Sequence, residues 1–156
     1  MPKITLETAI SADIHIVFDL VRSIDLHKIS TANSGEEAIA GKTSGLIELG
    51  ETVTWRARHL GVRQTLTSMV TALDSPSYFA DEMVRGAFKR FLHEHFFTME
   101  NGVTLMVDVF HYTAPLGVLG KLADHIFLER YMTRFLKTRN TIIKQFAESE
   151  QWKTIL

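Results

Sequence analysis

The chain contains no cysteine. That excludes disulfides, thiolate zinc sites and a cysteine nucleophile together. Charge of neither sign is in excess: 17 Lys and Arg stand against 18 Asp and Glu, for a formal net charge of −1 at pH 7. No basic stripe marks nucleic acid or an anionic membrane as a partner, so none is expected. No run of 18 apolar residues exists, and residues 1–7 lack the apolar core of a signal peptide. No integral membrane association is expected, and the default location is cytoplasmic. Three further patterns are absent: a Gly-rich phosphate loop, a Gly-x-Ser-x-Gly nucleophile elbow and a His-Glu-x-x-His zinc motif. Neither a cofactor nor a metal is expected.

What is present fits a soluble globular protein: 46% apolar and 22% charged residues over 156 positions. That length is one ordinary domain, 1–156, able to bury a sizeable core. No internal repeat, low-complexity segment or linker interrupts it.

The most informative stretch is Phe88–Thr113. Two arms rich in aromatic and β-branched residues, Phe88–Met99 and Val103–Tyr112, flank Glu100-Asn101-Gly102. Asn-Gly is the strongest short-range hairpin signal, because both central turn positions need φ > 0. A two-residue loop at Asn101-Gly102 pairs Glu100 with Val103. His95 then stands opposite Asp108, His93 opposite Phe110, and Phe91 opposite Tyr112. Strand alternation puts Phe91, His93, His95, Phe97, Met106, Asp108, Phe110 and Tyr112 on one face. The other face carries Leu92, Phe96, Leu105, Val107 and Val109, broken by Glu94 and His111. An apolar face set with two imidazoles, a carboxylate and a phenol is the pattern of a cavity wall.

Elsewhere, Lys3–Ile10 alternates as a first strand. Ser11 reads as a helix N-cap, with Asp13 in the first turn of a helix over Ala12–Arg22. Asp25–Ser30 adds a turn or two, with Leu26 and Ile29 inward. Glu36–Gly41, Glu51–His59, Val62–Leu73 and Tyr78–Arg85 read as strands joined by glycine-rich or Ser-Pro turns. In the second of these, Val53, Trp55, Ala57 and His59 oppose Thr54, Arg56 and Arg58. Pro115-Leu116-Gly117 ends the sheet, and Val118–Glu148 is helical. Leu119, Leu122, Ala123 and Ile126 share one side, while Leu128, Met132, Phe135, Ile142 and Phe146 lie nearly opposite at ~100° per residue. A break near Phe127-Leu128 reconciles the two stripes. The expected fold is α+β: a curved antiparallel sheet of six to seven strands wrapped around a long C-terminal helix, with two short helices after the first strand. One helix cannot cover both faces of such a sheet, so a helix-grip arrangement with a cavity is the natural solution.

The candidate chemistry centres on His93, His95 and Asp108. Directly opposite strand residues have Cβ atoms ~5 Å apart, so the trio can form a buried polar network, an acid–base dyad with Asp108 orienting His95, or a two-histidine, one-carboxylate metal set. The favoured reading is the network, with the metal the weakest of the three because the spacing is common. Trp55 and His59 sit on an apolar face, with core the commoner role for the tryptophan. Phe79, Phe91, Met106, Phe110 and Tyr112 line either core or cavity. Arg139 interrupts the second helical stripe; the favoured reading is a snorkelling side chain, the alternative an inward one meeting Asp108, Glu82 or an anionic ligand.

The chain resembles the SRPBCC superfamily of START-related and birch-pollen-allergen-like proteins, including the polyketide cyclase/dehydrase branch. The resemblance runs from Ile10-Ser11-Ala12-Asp13 and Val17-Phe18 through Gly50–Arg56, Phe79, Asp81 and Gly86. It continues in His93-x-His95-x-Phe97, Asp108 and Tyr112-x-x-Pro115-Leu116-Gly117. Many relatives carry a glutamine where this chain has Met83, which implies a less polar pocket. The resemblance implies a helix-grip domain carrying a small hydrophobic or aromatic ligand, with a cyclase/dehydratase-type enzyme and a protein-interaction module as alternatives. The expected cavity set is Trp55, His59, Phe79, Met83, Phe91, His93, His95, Met106, Asp108, Phe110, Tyr112 and Arg139.

Overall fold

Asn101 and Gly102 have φ of 52° and 78°, the left-handed pair that a tight two-residue hairpin turn requires. The register follows from that turn: Glu100 pairs with Val103, His95 with Asp108, His93 with Phe110 and Phe91 with Tyr112. The computed structural model describes residues 2–59, 61–114 and 127–156. Its elements are β1 (Lys3–Ile10), α1 (Ile14–Val21), α2 (Ile24–Ser30), β2 (Glu37–Gly41), β3 (Thr52–His59), β4 (Val62–Asp74), β5 (Tyr78–Arg85), β6 (Arg90–Glu100), β7 (Val103–Thr113) and α3 (Glu129–Ala147). The seven strands form one open antiparallel sheet in the order β1-β7-β6-β5-β4-β3-β2. The meander from β2 to β7 uses local connections, and β1 closes against β7 with Leu6 opposite Asp108. Helices α1, α2 and α3 cover the concave face, which gives the helix-grip fold.

The alternation on β6 and β7 sorts the two faces. Phe91, His93, His95, Phe97, Met106, Asp108, Phe110 and Tyr112 are all buried, whereas Phe96 and Leu105 remain exposed on the convex side. Around Phe18, edge-on contacts to Phe79 and Phe97 at 5.5 and 5.3 Å tie α1 to the sheet. A second apolar cluster joins Phe91, Phe110 and Tyr112 to Met132 and Leu136 of α3, and a third gathers Ile24, Ile47, Val53, Trp55 and Val70.

Three local expectations are corrected. The N-cap of α1 is Asp13, whose carboxylate accepts from the His15 amide at 2.8 Å, while the Ser11 amide donates to Glu148. An aspartate at this position accepts from the first-turn amides and also meets the positive helix end. Ile29 is exposed rather than inward, because α2 is a two-turn helix whose inward side is filled by Ile24, Leu26 and Ser30. On α3 the buried line is Met132, Leu136, Arg139, Asn140, Ile143 and Ala147, with Phe135, Ile142 and Phe146 on its flank. The helix is rotated away from the anticipated stripe because its two central polar residues, Arg139 and Asn140, turn toward the sheet. The sheet-ending Pro115-Leu116-Gly117 and the first helical stripe up to Ile126 lie outside the described residues. Among the described residues no helix is long and apolar enough to cross a membrane.

Candidate functional site

The concave face of the sheet and the three helices enclose a cavity of about 480 Å³. Its wall is mostly apolar and aromatic, with Trp55 from β3, Phe79 from β5, Phe91 and Phe110 from the hairpin, and Phe135 and Leu136 from α3. Two clusters of polar side chains are built into this wall, beside single polar residues such as Gln64 and Ser68.

The first is built around Asp108, which is 1% exposed. Its Oδ1 accepts from His93 Nε2 at 3.0 Å and from His95 Nδ1 at 2.9 Å, and its Oδ2 accepts from Asn140 Nδ2 at 2.7 Å. Arg139 Nη1 stands 3.7 Å from the same carboxylate. The other nitrogen of His95, Nε2, lies 3.3 Å from Oδ1 of Asp81 on β5. Hydrogen-bonded register explains the grouping: Asp81 is directly opposite His93, and Phe79 opposite His95. Phe79 stacks on the His95 ring at 4.2 Å, and the two imidazoles lie 4.0 Å apart.

The electrostatics of this group follow from which atoms can donate. Both nitrogens of His95 face carboxylate oxygens, which are acceptors only, and both contacts are hydrogen bonds only when the ring is doubly protonated. Burial pulls the His95 pKa down, but hydrogen bonds to Asp108 and Asp81 outweigh it and hold the pKa above the usual value. His93 behaves in the opposite sense. Burial and then the neighbouring His95 charge push it down to about 4, with Asp108 offsetting only part of that. Burial would raise Asp108, yet the bonds from His93 and His95 keep it well below the usual carboxylate range. Asp81 is lowered as well, with burial overcome by the His95 bond and the charges around it. His93 is therefore neutral with its proton on Nε2, toward Asp108. Among the described residues its Nδ1 has no hydrogen-bond partner, which leaves a lone pair beside the cavity.

The second polar group sits where α2, β2, β3 and α3 converge. Glu36 Oε2 is 2.6 Å from His27 Nε2, and Oε1 is 3.5 Å from His59 Nε2. His59 Nδ1 is 2.5 Å from the Tyr131 hydroxyl, and His27 stacks on Trp55 at 4.2 Å. Burial would raise Glu36, but His27 and then His59 bring it down to about 2. Burial and the Glu36 charge raise Tyr131, so the phenol keeps its proton.

Of the twelve anticipated cavity residues, the structure brings Trp55, His59, Phe79, Phe91, His93, His95, Phe110 and Arg139 to the wall. Four are corrected. Asp108 sits behind the imidazoles, screened by them and by Asn140. Met106 and Tyr112 are fully buried in the apolar layer between sheet and helices. Met83 packs into the cluster around Phe91 and does not reach the cavity. Arg139 is buried and inward, contrary to the snorkelling expectation, because Asp108 supplies a counter-charge in the interior. Sequence reasoning passed over Asp81, Asn140, Glu36, His27 and Tyr131 as site residues. For Asp81 a signal existed: it alternates with Phe79 on β5 and so shares its inward face. For Asn140 the signal is its i+4 spacing from the buried Leu136.

No protein-family model and no curated protein matches the chain. Solved structures do. The chain is similar to the Zhui aromatase/cyclase from Streptomyces sp. R1128, with a TM-score of 0.76 at 13% identity over 94% of this chain and 93% of that one. It is also similar to ginseng major latex-like protein 151 from Panax ginseng, with a TM-score of 0.70 at 15% identity over 95% and 98%. A START superfamily protein from Mycobacterium smegmatis matches with a TM-score of 0.70 at 10% identity over 94% and 97%. At these identities the likeness concerns architecture, which hosts many functions. The seven-stranded open sheet gripping a C-terminal helix, matched along nearly the whole chain, gives this protein the helix-grip fold shared with these structures.

Proposed function

We propose that this protein binds a small, mainly apolar molecule in the cavity between sheet and α3, with the polar end of that molecule against His93, Asp81 and Arg139. The observation that carries the reading is the cavity itself. At about 480 Å³ it falls within the range of small-molecule sites, and its wall is apolar with a few convergent polar groups. His93 Nδ1 offers an acceptor to a ligand hydroxyl, and the cavity-facing surface of Asp81 offers another. Arg139 makes long hydrogen bonds of 3.3 and 3.5 Å to Asn140 and the Val21 carbonyl and a 3.7 Å ion pair with Asp108, so its five N–H donors leave capacity for a ligand oxygen. Aromatic rings at Trp55, Phe79, Phe91 and Phe110 supply flat apolar surface, which favours an aromatic or polycyclic body.

The test is native mass spectrometry of the freshly purified chain, with identification of whatever small molecule is released on denaturation. A stoichiometric apolar compound, lost in Ala57→Phe, is the expected result. An empty chain that also fails to bind the fluorescent probe 1-anilinonaphthalene-8-sulfonate would overturn the reading.

A second reading has its own observation. An acid–base enzyme needs an unengaged group beside the substrate, and His93 Nδ1 is such a group. Turnover of a bound polyketide-like ligand that stops in His93→Gln, with ligand affinity retained, would favour catalysis over carriage.

A further inference from the structure

Three features of the Asp81, His93 and His95 cluster go beyond hydrogen bonding among themselves. One oxygen or nitrogen from each residue lies within 4.8 Å of the others. The Asp81 Oδ1 to His95 Nε2 separation of 3.3 Å matches neighbouring ligands on one ion, since bonds of about 2.1 Å at tetrahedral or octahedral angles set such atoms roughly 3.0–3.4 Å apart. All three side chains also project from adjacent strands onto the same patch of the cavity wall, with Asp81 directly across from His93.

The fourth residue gives the cluster its meaning. Asp108 takes Nε2 of His93 and Nδ1 of His95, both at about 3 Å, from the side away from the cavity. A carboxylate behind a histidine fixes its tautomer and ring orientation and raises its basicity as a ligand. Here one carboxylate does this for two imidazoles, and it leaves His93 Nδ1 and His95 Nε2 as the nitrogens available to an ion. Asn140 in turn holds Oδ2 of Asp108, so the backing is itself anchored to α3.

We infer that Asp81, His93 and His95 form a site for a divalent first-row transition metal, of the zinc or iron(II) class, with Asp108 as the carboxylate that orients both imidazoles. Two nitrogens and one carboxylate oxygen suit such ions better than magnesium or calcium, which favour all-oxygen shells. The ion takes the place of the proton that His95 Nε2 otherwise shares with Asp81. Charge permits it. With neutral imidazoles, Asp81, Asp108 and Arg139 sum to −1, and Arg139 forms its ion pair with Asp108, not with Asp81. Three protein ligands on one side leave the remaining positions open to the cavity, where water or an oxygen of a bound molecule can occupy them. With an ion bound, His93 Nδ1 and Asp81 serve the ion, and the polar end of a molecule in the cavity meets the ion's open positions and Arg139 in their place.

The experiment uses the full untagged chain, treated with chelator and titrated with cobalt(II), read by d–d absorption and by competition with zinc in calorimetry. One equivalent binding at micromolar affinity or tighter, with visible bands of a nitrogen/oxygen site, is expected. Asp81→Asn and His93→Ala should each weaken binding by about a hundredfold or more. Asp108→Asn should weaken it by roughly 10- to 100-fold, as loss of an orienting partner does. The exposed His15→Ala serves as the control and should change nothing. Asp81→Asn alters only a cavity-facing carboxylate, so far-UV circular dichroism on that variant separates lost ligation from lost folding. Absence of cobalt bands in the wild type, or equal affinity in wild type, Asp81→Asn and His93→Ala, would overturn the site.

Discussion

Asp108 Oδ1 lies 2.9 Å from His95 Nδ1, on the facing position of the adjacent strand, and neither side chain is more than 2% exposed. A buried pair of this kind is a demanding interaction. Its desolvation cost is recovered only when every lone pair is satisfied, and removing one partner typically costs about 3–5 kcal/mol. Asp108 has all its contacts: two imidazoles, an amide and a guanidinium. Asp108→Ala should therefore lower unfolding free energy by about 3–5 kcal/mol, measured as a shift of the urea midpoint with unchanged slope. Asn140→Ala, which removes one of these bonds, should cost about 1.5–3 kcal/mol.

Glu36 gives a prediction about pH. Its folded pKa of about 2 lies below its ordinary value of 4.5. A depressed carboxylate contributes stability that is present above the unfolded pKa and is lost as pH falls through the folded one. The groups facing it are His27 from α2, His59 from β3 and Tyr131 from α3. Wild type should thus lose stability relative to Glu36→Gln as pH falls from about 4.5 to about 2. Urea midpoints of both proteins across that range test this; parallel curves would contradict it.

Cavity volume can be reduced without touching the polar groups. Ala57 is a buried wall residue on β3. Ala57→Phe places a ring into empty space, so it should leave the thermal midpoint within a few degrees or raise it, because no packed neighbour needs to be displaced. Binding of 1-anilinonaphthalene-8-sulfonate should fall by about tenfold or more. Equal probe affinity would show that the probe binds elsewhere.

Strand β2 carries a purely structural prediction. Gly41 has a φ of +73°, and a Cβ there would collide with the Thr52 carbonyl oxygen. Both the conformation and the contact oppose any side chain. Gly41→Ala should lower stability by about 1–3 kcal/mol and increase amide exchange at the paired residues Val53 and Trp55, as read by hydrogen-exchange mass spectrometry.

The hairpin was legible down to its register because one dipeptide, Asn101-Gly102, demands a specific turn and everything after it is counting. The two-histidine face followed from the same count. Its third partner did not. Whether Asp81 meets His93 depends on how β5 lies against β6, and β5 is reached through a β4–β5 pairing with two register shifts. No local pattern encodes such shifts. The second polar group was legible only at His59 for a similar reason: its partners His27, Glu36 and Tyr131 come from separate parts of the chain, and each alone looks like an ordinary surface residue. On α3 the alternatives were a phenylalanine-rich side and a side holding Arg139 and Asn140. Hydrophobicity favours the first, and the buried carboxylate on β7 decided for the second.

The sheet joins its first strand to its last, and this sets an order of events for a newly made chain. The hairpins from β3 to β7 close over short loops and can form one after another, whereas β1 must wait for β7 before it gains any strand partner. Helix α3 is synthesised later still. Leu6 of β1 and Asn140 of α3 are the residues that finally enclose Asp108, and Thr8 of β1 hydrogen-bonds to Asn140 itself. Asp108, among the most deeply buried charges of the described residues, is therefore among the last to leave water, when β1 and α3 meet above it.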